Sequence, residues 1–79
     1  MDLHSKAKSS NTKKDFIELL SLLQKDFVDK KESWENQSID MFLGAIKSWI
    51  EDYSGEDINW EQLNWKSVSA MFYMGKIYE

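Results

Sequence analysis

The sequence predicts an all-α fold, a small three-helix domain behind a disordered N-terminal tail, and three observations support it. Two stretches set their large apolar side chains on one arc at helical spacing. A third stretch, led by a tryptophan, is apolar on two sides. No proline interrupts the 79 residues, and glycine occurs only three times, so nothing in the pattern demands a sheet.

Residues 1–11 are polar without apolar periodicity and read as the disordered tail, which leaves residues 12–79 as a single helical domain. Thr12 followed by Asp15 resembles a capping box, which opens the first predicted helix. Phe16, Leu19, Leu20, Leu23 and Phe27 then fall within an arc of about 100°, as a core-facing helix requires. Lys30 and Lys31 suit the C-terminal end of its dipole.

In the second predicted helix Ile39, Phe42, Leu43, Ile46, Trp49, Ile50 and Tyr53 share an arc of about 120°, which places Phe42 and Trp49 in the core. Asn36 or Ser38 is the expected N-cap, with Trp34 folding back to close the base of the core. Gly55 supplies the positive φ expected after a helix. The third segment offers two start signals, Asn59 and Asn64. Its main helix carries Trp65, Val68, Met71, Phe72 and Gly75 on one arc, and Ala70, Tyr73, Met74 and Ile77 on another. Such a helix is either wedged between its neighbours or turns one side toward a partner.

Composition narrows the function. There is no cysteine, so neither a disulfide framework nor a thiolate metal site is available. All ten basic residues are lysine, which removes the side chain best suited to bidentate recognition of phosphate or guanine, and nucleic acid is not an expected ligand. The N-terminus lacks the apolar segment of a secretory signal and no run approaches a membrane span, so no membrane association and a cytoplasmic location are expected. The single histidine, His4, lies in the predicted tail, so no Ser-His pair can be assembled, and neither enzymatic activity nor a cofactor is expected. The oxygen-rich stretch Asp52–Glu61 departs from the EF-hand spacing, since Gly55 stands fourth rather than sixth, and it reads as a solvated acidic loop rather than a metal site.

The segments FIELLSLLQKDF, WENQSIDMFLGAIKSWIED and WKSVSAMFYMGKIYE together resemble a family of small bacterial proteins classed as a domain of unknown function. The resemblance covers about residues 14–79 and rests on Trp34, Glu35, Asn36, Phe42, Leu43, Trp49, Asp52, Trp65, Tyr78 and Glu79. It implies a bacterial source and a helical fold, with no assigned activity.

Charge is uneven. Residues 1–31 hold seven lysines against five carboxylates, and residues 32–79 three lysines against nine. The expected function is therefore non-catalytic binding of another protein, of the immunity or antitoxin kind, in which an acidic surface blocks a basic toxin domain. Glu51, Asp52, Glu56, Asp57 and Glu61 would provide the field, and Trp60 and Tyr73 the anchors. The alternative is a homodimeric structural or regulatory module, with the second apolar face of the last helix as its seam.

Overall fold

The computed structural model describes residues 2–79, and every regular element among them is helical. The order is α1 (Leu3–Lys8), α2 (Lys13–Asp29), a 3₁₀ turn (Lys31–Ser33), α3 (Ile39–Asp52) and α4 (Trp65–Ile77). The three long helices are those the periodicity predicts.

Each long helix starts on a side-chain cap. Thr12 Oγ1 accepts the Asp15 amide at 3.1 Å, while Asp15 reaches back to the Asn11 amide at 3.0 Å. Ser38 Oγ, rather than Asn36, accepts the Met41 amide, and Asn64 Oδ1, rather than Asn59, accepts that of Ser67. Each bond satisfies one of the amide groups that a first turn leaves free. Asn59 instead takes part in a local turn, accepting the Glu61 amide on its side chain and the Gln62 amide on its carbonyl. Gly55 is not at positive φ. A Cβ there would meet Asp57 Oδ1 at 2.8 Å and the Tyr53 ring at 2.9 Å, so its role is to let Tyr53 fold onto Asp57.

Residues 2–11 correct the sequence reading, while Met1 lies outside the described residues. The predicted tail contains α1, capped by Asp2 on the Ser5 amide at 2.8 Å. Six residues make too short a helix to persist alone, so tertiary contact must hold it. Ala7 is 3% exposed within the core cluster. Lys6 Nζ lies 2.8 Å from Glu18 Oε2, whose hydrogen bond holds the ammonium pKa above its usual range, and 3.8 Å from Asp15. The buried Ser10 hydroxyl donates to the Lys6 carbonyl at 2.7 Å. Deleting residues 2–10 should accordingly lower stability by about 1–2 kcal/mol through lost burial of Leu3 and Ala7, a melting shift that calorimetry resolves. An unchanged melting temperature would show that α1 does not contribute to the core.

The same helix explains why α4 is apolar on two sides. α4 packs against α3, α1 and α2, with Ser67, Ser69, Met71 and Gly75 buried. Its first arc meets α3, where Gly75 sits against the Phe42 ring, while on its second arc His4 of α1 stands edge-on to Tyr73 at 5.5 Å. The wedge is the arrangement found, and α1 is the cover the sequence reading lacked.

Leu19, at 0% exposure, Leu23, Ala7 and Trp34 form the core cluster, with Phe16, Phe27, Phe42 and Phe72 packed around it. An aromatic row runs Phe27–Trp34–Phe42–Phe72–Phe16–Trp65, with neighbouring centroids 5.1–6.2 Å apart. The α3 arc is only half used. Phe42 and Ala45 turn inward and Trp49 is half-buried in a separate cluster, but Ile39 remains 73% exposed, Leu43 58% and Ile50 36%. Trp49 is thus not in the main core: α4 meets the Phe42–Ala45 side of α3, rotated from the centre of its apolar arc.

Candidate binding surface

Two constructions position the polar side chains. The first is the connector Trp34-Glu35-Asn36, which clasps the end of α4. The Trp34 indole N–H donates to Asp26 Oδ2 at 2.7 Å, and the Lys76 ammonium approaches the same oxygen at 2.8 Å. Lys76 Nζ also lies 5.8 Å from the Trp34 ring centroid, within range of a cation–π attraction. Burial works to raise the Asp26 pKa, but the hydrogen bonds from Lys76 and Trp34 outweigh it and leave the carboxyl below its usual range. Asn36 donates from Nδ2 to the carbonyls of Gly75 at 3.0 Å and Tyr78 at 2.8 Å, while the Glu35 and Asn36 amides both donate to the Lys76 carbonyl. These carbonyls belong to a helix end that would otherwise leave them unsatisfied.

The second construction is the acidic corner between α3 and α4. Trp49, Tyr53 and Trp60 form a triangle of edge-on rings with centroids 5.1, 5.6 and 6.4 Å apart. The Tyr53 hydroxyl donates to Asp57 in a short hydrogen bond, and the Tyr78 hydroxyl donates to Asp52 Oδ2 at 2.6 Å. Holding a proton toward a carboxylate raises both phenol pKa values and lowers that of Asp57. Glu51, Glu56 and Glu61 are exposed. The last turn of α3 carries no basic residue, so Glu51 and Asp52 stand at the negative end of the helix dipole.

A groove of about 480 Å³ adjoins this corner, lined by Trp49, Tyr53 and Asp57 together with His4, Tyr73 and Met74. Lys8 and Lys66 stand among its lining residues. The structure thus gathers Asp52, Asp57 and Trp60 around Tyr53 and places Tyr73 in the wall of the adjoining groove. Sequence reasoning missed His4 and Lys8, having assigned them to the tail, and took Trp49 for core. The usable signal was Asp2 as an N-cap ahead of Leu3, Lys6 and Ala7 at helical spacing.

Among the described residues no group of three or more His, Cys, Asp or Glu side chains is placed to hold a metal ion, and no helix is long and apolar enough to cross a membrane. Across the exposed surface Glu79 pushes the Glu35 carboxyl pKa up, through a hydrogen bond between the two and like-charge repulsion. The helices and the Trp-Glu-Asn clasp coincide with a sequence match: the model of a family of unknown function, DUF7660, covers residues 12–79. The chain belongs to this family. No curated protein and no solved structure matches it. The DUF7660 match begins at Thr12, the cap of α2, so α1 lies outside the matched region.

Proposed function

We propose that the protein is a non-catalytic protein-binding module that takes a basic partner at the acidic corner, as an immunity or antitoxin protein takes a basic toxin domain. The observation that carries the reading is the placement of Glu51 and Asp52 on the C-terminal turn of α3, continued by Glu56, Asp57 and Glu61 in the following connector. Carboxylates at that end of a helix work against its dipole by about 0.3–1 kcal/mol each, while concentrating a negative field that speeds encounter with a cation-rich surface. Trp60 and Tyr73 are half-buried, rigid aromatic side chains beside this field, the kind that anchors an interface once water is displaced. Asp52 and Asp57 are tethered by phenols and are thereby oriented in advance.

The test begins by cross-linking the protein to its partner in source cells and measuring association with the purified pair. Asp52→Asn, Glu56→Gln and Asp57→Asn together keep the acceptor oxygens for Tyr53 and Tyr78 while removing charge. That variant should associate about tenfold more slowly at low salt and dissociate at nearly the original rate, because exposed charges act mainly before contact. Trp60→Ala and Tyr73→Ala should mainly raise the dissociation rate. Association of the triple variant at the wild-type rate in low salt would remove the electrostatic basis of this reading.

A further inference from the structure

The outer side of α3 is independent of the acidic corner. Ile39, Leu43, Ile46 and Ile50 follow one another at intervals of four, three and four residues, the spacing of a helix-pairing seam. Three of the four are exposed, Ile39 and Leu43 most of all, and Ile46 is half-buried. An exposed apolar row of this kind is unusual on a domain whose core is already made by α1, α2, α4, Trp34 and the Phe42–Ala45 side of α3.

The charges beside the row identify what fits it. Asp40 and Lys47 lie one behind the other on the same flank, seven residues apart, and the ion pairs among the described residues involve neither. If a second α3 lies antiparallel across a twofold axis at the level of Gly44 and Ala45, Ile39 faces Ile50 of the second copy and Leu43 faces Ile46. The twofold brings like flanks together, so Asp40 of each chain comes within about 3 Å along the axis of Lys47 of the other, two residues at the helical rise. The contact is isologous and carries two reciprocal opposite-charge pairs, whereas a parallel pairing, its twofold running along the helices, brings unlike flanks together and sets no opposite charge against Asp40 or Lys47.

We infer that the exposed Ile39–Leu43–Ile46–Ile50 seam of α3 pairs antiparallel with the same seam of a second copy of this chain, with Asp40 and Lys47 fixing the orientation. Sedimentation equilibrium of the full chain up to about 1 mM, where a weak helix-pair contact becomes populated, reads it directly. The wild type should show a concentration-dependent dimer, and Leu43→Glu should stay monomeric with unchanged helicity. Lys47→Asp alone turns two attractions into two repulsions and should weaken the dimer about tenfold, whereas Asp40→Lys should weaken it less, because the same axis brings the second copy's Glu51 beside residue 40. The combined swap should restore it to within about twofold of the wild type, an outcome reserved to reciprocal pairing. A wild type that stays monomeric, a dimer indifferent to Leu43→Glu, or a swap no better than the single reversals would each overturn the inference.

Discussion

Trp34→Ala should destabilise the protein by about 3–5 kcal/mol, enough to leave a domain of this size largely unfolded at physiological temperature. Trp34 is 7% exposed and meets Phe27 edge-on at 5.1 Å and Phe42 in a stack at 6.2 Å. Its loss opens a cavity where α2, α3 and the connector converge, and it removes one of the two donors to Asp26. Trp34→Phe separates these effects. The ring contacts remain in part while the indole bond is lost, so the cost should fall to about 1–2 kcal/mol.

The phenylalanine variant should also be less acid-resistant. Asp26 has a folded pKa below its unfolded value, so its stabilisation is present above the usual carboxylate range and disappears as pH falls through the folded value. Removing the indole donor raises the folded pKa, and acid unfolding should begin at higher pH. Urea melts of both variants across the acid range provide the check. A loss below about 1 kcal/mol for Trp34→Ala would mean that the indole is not part of the core.

Gly75→Ala should cost a net amount of about 2 kcal/mol, although alanine is the better helix former by about 1 kcal/mol. A Cβ at position 75 would lie 2.5 Å from Phe42 Cε1 and 2.8 Å from Cδ1 and Cζ. Phe42 cannot simply swing away, because it is held between Trp34 and Phe72, and Asn36 fixes the Gly75 carbonyl from the other side. Gly44→Ala on α3 is the control. Nothing lies within 4 Å of its added methyl, so it should stabilise the protein by about 0.5–1 kcal/mol. Adding Phe42→Leu should recover part of the Gly75→Ala loss, since the two residues share one contact. Equal stability of the two alanine variants would refute the close α3–α4 approach.

Several features were legible because they depend on neighbours in sequence. Thr12, Ser38 and Asn64 act within three residues of their own positions, and the arcs of α2 and α3 follow from helical period alone. Trp34 folding back onto a polar partner was readable from its place just ahead of a helix start. The acidic corner was equally plain in residues 51–61, although its tethers were not: Tyr78 reaches Asp52 from the far end of the chain.

The amino-acid order alone was enough for an all-α chain, three long helices with the Thr12 cap of the first, and a segregation of negative charge toward α3 and the α4 connector. All of these arise from spacing, local hydrogen bonding and composition. Only the tertiary structure decided that residues 3–8 form α1, because six residues gain helix order from a surface to bury against, and that surface is supplied by α2 and α4. It also decided that Asn36 closes the end of α4 rather than starting α3, since the carbonyls of Gly75 and Tyr78 lie about forty residues away in sequence. Finally, it decided which half of the α3 arc is covered. Helical period fixes which residues share a face, whereas the rotation of that face against α4 is set by where a glycine lets two helices come close.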